Sequence, residues 1–513
     1  MQNIKQSMLA ALLLAALLLV SLLLTACGDA VESNSDDSAE TSASDGETTA
    51  GVDEYGRQII AHGLPDDLDF GGMVINCLVR DLPSYSIDFG VEELDGDIVN
   101  DAVYERNGKV EEELNIDINV ITVPDTNTTT SEAVGDLLRT SVMAGERAYD
   151  VCAFYQIYGS SLGLDGMLYN INELDYVDFS QPWWNQDFYE ELSYQNQLYY
   201  TVGSMNLSVT SSLMGVFFNQ TKVTDYYSDY DFLYQLVYDG EWTLDKFSEL
   251  VRDVYTDLDG DGAASENDFY GLTMVEDDPG PWNAALNIRL CTKDETGTPQ
   301  LSFYSERSVT AYEKLYSLYR NSTGVYFGAK GYDYKTAFAS GKSLFAVCSL
   351  ESASTHLRDM TDGYGLLPMP KFDTNQEKYQ NSARDSSNLT GVAVDCDKLD
   401  AVGAMLELMN YYSYYDVTPA YYEVAMKTKY LADSDSANMF DLILDGVVVD
   451  FGEIYSLAIS GGKYTMDGIF AGQMRNLIRL KITDLGSNYA NFENIYESCL
   501  DEIIATYDEL AAR

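Results

Sequence analysis

Three carboxylates at alternate positions, Asp257, Asp259 and Asp261, open an acidic run that continues to Glu266 and Asp268, with glycine at 260 and 262. Alternate residues on a curling loop turn their oxygens to one side, and calcium takes six to eight oxygens at flexible distances. Gly262 stands where such a loop must turn sharply, and Ala263 can lend its backbone carbonyl. The calcium-loop pattern ends on a bidentate glutamate; here the shorter Asp268 holds that place, with Glu266 two residues before it. Asp257, Asp259, Asp261, Glu266 and Asp268 are therefore candidate ligands of a structural calcium. The alternative is an acidic Asp-Gly turn that holds no metal.

Other catalytic chemistry has little material. His62 and His356 are the only histidines, so a histidine-based triad or a two-histidine metal centre has almost no material. No H-E-x-x-H, P-loop or G-x-G-x-x-G stretch occurs. Paired carboxylates for glycoside hydrolysis stay open, because acids are spread throughout and sequence spacing does not set their spatial separation. The expectation is a protein that is not an enzyme. The 40 tyrosines against 19 phenylalanines and 4 tryptophans add a hint of another kind. Tyrosine joins an aromatic face to a hydroxyl, which suits stacking on sugar rings, although it also packs well in any core.

The net charge of −53 repels phosphate backbones and excludes nucleic acid as a partner. It suits a solvated, exported protein. At the N-terminus, Lys5 precedes an apolar run from Met8 to Leu24, the layout of an export signal. Leu24-Thr25-Ala26-Cys27 follows and resembles the bacterial lipobox, in which the cysteine is diacylated and becomes the first residue of the mature chain. Residues 1–26 are thus expected to be a lipoprotein signal peptide, with a membrane-spanning signal anchor as the alternative. From Asp29 to Glu54 the chain holds Ser, Thr, Ala, Gly and acids with no Lys or Arg, so 27–58 is expected to be a disordered acidic tether beyond a lipidated Cys27. The remaining body of about 450 residues is too long for one ordinary core, so at least two domains are expected. Its cysteines, 77, 152, 291, 348, 396 and 499, are far apart with no C-x-x-C, and buried free thiols are expected over disulfides.

The elements that must position any site alternate between short apolar runs and helical periodicity, the pattern of an α/β chain. Strands are expected over 74–79, 116–121, 149–154, 213–218, 344–347 and 391–394. Helices are expected over 99–114, 131–143, 243–255, 308–319, 400–411 and 436–444. A last helix over 491–510 places Phe492, Ile495, Cys499, Ile503, Tyr507 and Leu510 on one face.

Several stretches occur in a recognisable order. Asn100 to Asn107 (NDAVYERN) opens a helix, and Leu114-Asn115-Ile116 enters a strand. Ala148-Tyr149-Asp150-Val151, the segment 168–174, Pro182-Trp183-Trp184-Asn185 and Val216-Phe217-Phe218-Asn219 come next. Glu241 to Phe247 (EWTLDKF), Gly341-Lys342-Ser343-Leu344-Phe345 and Gly363 to Lys371 (GYGLLPMPK) complete the series. In these motifs the chain from about residue 70 onward resembles the family-one extracellular solute-binding proteins, relatives of the maltose- and oligosaccharide-binding proteins that serve ABC importers. The acidic loop with Phe269-Tyr270-Gly271-Leu272 after it is similar to a calcium-holding loop in polysaccharide-binding relatives.

That resemblance implies an α/β, two-lobed type II periplasmic-binding-protein-like fold with discontinuous lobes and a hinge. Lobe 1 would comprise 59–210 and 390–450, lobe 2 would comprise 211–389 and 451–513, and the solute would lie between them. It implies a small-molecule solute, most simply a sugar, ABC permease subunits as partners, and a place on the outer face of the membrane. Implied solute contacts are Tyr155 after the strand that leads into the cleft, the indoles of Trp183, Trp184 and Trp282, and Ser204 and Asn206 near the hinge. Ser349 and Glu351 follow a second-lobe strand, and Arg384, beside Asp385, would matter for a solute with a carboxylate. A peptide-binding protein, a sensory solute-binding protein and an exported carbohydrate-active enzyme stay open as alternatives.

Overall fold

A computed structural model describes residues 51–53, 57–124, 132–276, 282–422 and 434–512 of the 513-residue chain. The export signal, Cys27 and most of the acidic tether lie outside them. The chain divides into two units, Met1–Ala61 and His62–Arg513. In the first, Val52 bridges Gln58 and the Asp53 carboxylate pairs with the Arg57 guanidinium.

The second unit carries the strands. They are β1 (Met73–Arg80), β2 (Ile116–Val123), β3 (Val151–Tyr155), β4 (Met214–Asn219), β5 (Tyr255–Thr256) and β6 (Phe269–Val275). After these come β7 (Cys291–Lys293), β8 (Pro299–Leu301), β9 (Val325–Gly328), β10 (Ser343–Ser349), β11 (Tyr364–Leu367) and β12 (Asn388–Val392). One sheet has the order β12-β3-β1-β2 and a second the order β11-β4-β10-β6-β5, with β9 added on β6. In the first, β1 runs parallel to β2 and β3, while β12 pairs antiparallel to β3 with Asn388 opposite Tyr155. The chain therefore leaves the first sheet after β3, builds the second, and returns at β12.

Local chemistry explains the elements. In β2, Ile116 and Ile118 are buried and Asp117 and Asn119 are exposed, the alternation of an edge strand packed on one face. β4 and β10 are buried throughout, as strands in the middle of a covered sheet must be. Helix Ile98–Leu114 starts where the Asp97 carboxylate accepts from the Val99 and Asn100 amides, and stops at Asn115, which takes the left-handed conformation. The helix expected over 243–255 ends at Val251, and Tyr255–Thr256 instead pairs with β6.

Helix Leu399–Tyr412 packs on helix Ile98–Leu114 and so belongs with the first sheet, whereas helix Ser434–Asp445 packs on β11 of the second. Phe440 and Ile443 of that helix join Phe217, Phe338, Ala346 and Leu366 in one core. The last helix runs from Leu485 to Ala511. Its buried stripe is Tyr489, Tyr496, Leu500, Ile503 and Tyr507, and Ile495 is 45% exposed. The expected face is corrected in its first half: Ile503 and Tyr507 are buried as expected, whereas Tyr489 and Tyr496 are buried in place of Ile495; the Tyr496 hydroxyl is satisfied by the Gly468 carbonyl and Gln473. The six described cysteines are all free, and all but Cys499 are buried. No described helix is long and apolar enough to cross a membrane.

Candidate functional site

β3 ends at Tyr155 and the chain turns at once into the short helix Gln156–Gly159. Gly159 is required there, since a β-carbon would stand 1.9 Å from the Phe154 ring. Past the end of β3, between the two sheets, opens a cleft of about 100 Å³ that is continuous with solvent. Its walls include Gln156, Met214 at the start of β4, Trp282, Asn283, Arg384 and Glu453. A ligand site beyond the carboxyl end of a parallel strand is the general arrangement of open α/β sheets.

Each polar group is held by neighbours. The segment before β12 is pinned to Gln156, whose amide donates to the Ser387 carbonyl at 3.1 Å and whose side-chain carbonyl accepts from the Ser387 hydroxyl. This presents Arg384 and Asp385 to the cleft. Asp385 pairs with Arg475 at 3.6 Å, and Arg475 also donates to Asn476 and to the Tyr464 hydroxyl. The Trp282 indole donates to the Tyr319 hydroxyl at 2.8 Å, which fixes the ring. Glu453 sits on the short helix Phe451–Ile454, capped by Asp450, whose carboxylate accepts from the Leu290, Cys291 and Gly452 amides. Burial pushes Asp450 up to about 6. Burial, with Asp450 and Asp385 nearby, pushes Glu453 up to about 8.

Tyr155 lies beside this cleft. The Arg80 guanidinium stands 3.7 Å from the Tyr85 ring centre and 5.0 Å from that of Tyr155. Asn388 and the Ser386 carbonyl hold Arg80 in place. Burial, then the Asp385 charge, raises the Tyr155 phenol.

Other expected contacts take different places. Trp183 and Trp184 are buried and, unlike Trp282, are not among the residues that wall the cleft. Both indoles donate at 2.9 Å to the two oxygens of Glu407, and the second oxygen also accepts from the Asp178 amide. A buried indole N–H needs an acceptor, and this carboxylate makes the pair part of the core. Asn206 is buried, donating to Asp88 and the Thr390 hydroxyl while accepting from the Gly203 amide. It belongs to a knot in which Asp88 also accepts from the Ser208 amide, the Ser208 hydroxyl and Asn388. That knot joins the passage from β3 to β4 to the passage from β11 to β12. Ser204 donates its amide to the Trp183 carbonyl, and Ser349 is 1% exposed beside Ser352. Glu351 accepts from the Ser84 hydroxyl across the two sheets. Of the expected contacts, Trp282 and Arg384 line the cleft and Tyr155 adjoins it. Gln156, Asn283, Glu453 and Arg475 were not expected; Gln156 and Asn283 directly follow Tyr155 and Trp282, a neighbourhood signal that sequence reading could have used.

In the acidic loop, carboxylate oxygens of Asp257, Asp259 and Asp261 lie within 4.8 Å of one another. Asp257 accepts from the Gly260 and Gly262 amides, and both glycines have positive φ. Glu266 is exposed and outside the trio, with its carbonyl taken by Lys342. Asp268 is buried and turned inward, accepting from the Leu258 and Ser265 amides and the Tyr255 hydroxyl. Those two therefore differ from the expected ligand set: Asp268 closes the loop through its backbone, leaving the three aspartates as the group that faces outward.

No protein-family model and no curated protein matches the chain. Solved structures do. An ABC substrate-binding protein of Listeria monocytogenes, in complex with cycloalternan, is 14% identical with TM-score 0.52, covering 85% of this chain and 99% of that one. The GacH receptor of Streptomyces glaucescens, solved unliganded and with acarbose, is 15% identical with TM-score 0.52, covering 84% and 99%. UgpB of Mycobacterium tuberculosis, in complex with glycerophosphocholine, is 14% identical with TM-score 0.53, covering 85% and 99%. At this identity the likeness establishes the fold: the chain has the two-lobed α/β architecture of these solute-binding proteins.

Proposed function

We propose that this chain is the exported solute-binding component of an ABC-type importer, holding a saccharide in the cleft between its two sheets. The cleft is the observation that carries this reading. Amide, guanidinium and carboxyl groups surround one indole there, a mixture that meets hydroxyls with hydrogen bonds and a ring face with an aromatic one. Cycloalternan and acarbose, named with two of the proteins sharing this fold, favour a carbohydrate. In this reading a lipid on Cys27 tethers the body to the outer face of the membrane, permease subunits receive the solute, and no bond of the solute is broken.

The Asp257, Asp259 and Asp261 oxygens fit a calcium ion, because oxygens on one ion at 2.3–2.6 Å lie within about 5 Å of each other. We infer that calcium there would brace the loop between β5 and β6, with no part in solute binding.

Calorimetric titration of a panel of mono- and oligosaccharides tests the function. One saccharide should bind, be recovered unchanged, and lose about tenfold in affinity in Arg384→Ala. Binding confined to peptides would replace the saccharide with a peptide, and steady conversion of the sugar would make the protein an enzyme.

A further inference from the structure

The cleft is walled by one residue with an unmet hydrogen-bond acceptor and by a carboxyl with no described cation paired to it. Asn283 is 8% exposed; its amide nitrogen donates to the Ala471 carbonyl at 3.1 Å, and its side-chain oxygen has no partner. A buried acceptor left unmet is costly, and Asn283 is one of the residues that wall the cleft, so its oxygen marks where a ligand N–H or O–H belongs. Glu453 lines both this cleft and the smaller cavity behind it, which Ser382 and Ser387 also line. It takes a hydrogen bond from Ser382, and no described lysine or arginine forms an ion pair with it.

The cationic side chains of the cleft are already engaged. Arg475 is divided among Asp385, Asn476 and Tyr464, and Arg384 has a partner of its own. The charge facing Glu453 is mainly negative: Asp450 from its own helix and Asp385 from the segment before β12, against the weaker opposing effect of Arg289. These neighbours, with burial, hold the Glu453 carboxyl well above the usual carboxylate range. A positive group at that spot would reverse the effect. Trp282 has its N–H committed to Tyr319, so its contribution to a solute is the ring, which attracts cations. The chain's net charge of −53 draws cations toward the protein and slows the approach of anions.

Resting on the saccharide reading and refining it, we infer that the solute carries a protonated amine, as an amino sugar does, whose N–H groups meet the Asn283 oxygen and the Glu453 carboxylate beside the Trp282 ring. An N-acetyl group would bring a single N–H with no charge, and a hydroxyl brings one donor with no charge. Neither matches two separate acceptors of which one is a carboxylate.

Three disaccharides on one β-1,4-linked glucose frame separate these cases: the glucosamine dimer, its N,N′-diacetyl form, and cellobiose. Spermidine serves as an amine without a sugar. In the full-length protein, the glucosamine dimer should bind about tenfold or more tighter than the other two, and that preference should fall below about threefold in Glu453→Gln. Equal or tighter binding of either neutral disaccharide overturns the inference, as does an undiminished preference in a folded Glu453→Gln. The wild-type comparison decides the matter even if the variant does not fold. If spermidine binds and no disaccharide does, the saccharide reading falls and the amine survives. If neutral disaccharides bind and every amine is silent, the amine falls and the saccharide survives.

Discussion

Glu407 shows how one carboxylate decides the role of two aromatic side chains. Trp183 and Trp184 sit in a motif that resembles a proline–double-tryptophan one, and their types alone suit stacking on a sugar ring. Their acceptor is on a helix 223 and 224 residues away, so no local pattern reveals that both indole N–H groups are buried and met. Replacing Glu407 with leucine leaves two indoles and the Asp178 amide without an acceptor. We expect a loss of ~3–5 kcal/mol, read by urea unfolding, and little change in solute affinity beyond that caused by stability. A variant as stable as the parent would show that these hydrogen bonds contribute nothing net. Trp282 and Arg384 were legible from the same kind of reasoning, the first by its aromatic type and the second by its place in a polar segment before a strand. Asn283 and Glu453 were not, since an asparagine or glutamate in an acidic chain looks like solvated surface until burial is known.

At the level of elements, apolar periodicity located the long helices and six of the twelve described strands, and missed β5 to β9, β11 and the short helices; it also failed where polar or tyrosine side chains are buried. β12 begins at Asn388, three residues before the apolar run from which a strand was expected, because its buried amide serves Arg80 and Asp88 instead of solvent. The C-terminal helix turns its tyrosines inward for the same reason. The acidic loop gives a test at this scale. If Asp257, Asp259 and Asp261 hold calcium, EGTA should lower the melting temperature by several degrees, and the Asp257→Ala/Asp261→Ala double variant should melt at the lower value with or without chelator. A wild-type protein indifferent to chelator would leave the loop as a turn fixed by its own Asp–amide hydrogen bonds. The knot at Asp88 supports a further expectation. Asp88→Ala frees the Ser208 amide and three side-chain donors at the crossings and should cost ~2–4 kcal/mol by urea unfolding, where a surface aspartate would cost almost nothing.

For the whole molecule, the order of sheets follows from a chain that leaves the first lobe after β3 and comes back at β12, a return that no local pattern announces. Charge acts at this scale too. Glu407 is pushed up to about 7, Glu453 to about 8 and Asp450 to about 6, each by burial first. With raised values, the folded chain keeps protons that the unfolded chain gives up between the ordinary carboxylate range and about 8. Stability is therefore fullest at the acidic end of that window and is lost as pH rises through it. Self-repulsion of the net −53 acts in the same direction. Carboxylates held low by hydrogen bonds, such as Asp178 and Asp484, titrate below the window and do not offset this. The melting temperature should be higher at pH 5.5 than at pH 8 in the absence of solute, and a flat or rising profile across that range would count against the buried carboxyls.

The central claim is that solute lies between the two sheets, past the end of β3. Amide hydrogen exchange with and without a bound saccharide measures this most directly. Slowed exchange should concentrate at Gln156 and Ile157, at 282–286, across 382–388 and along 469–478, the segments that wall the cleft. Protection confined to surfaces away from these segments, with the cleft amides unchanged, would contradict the account.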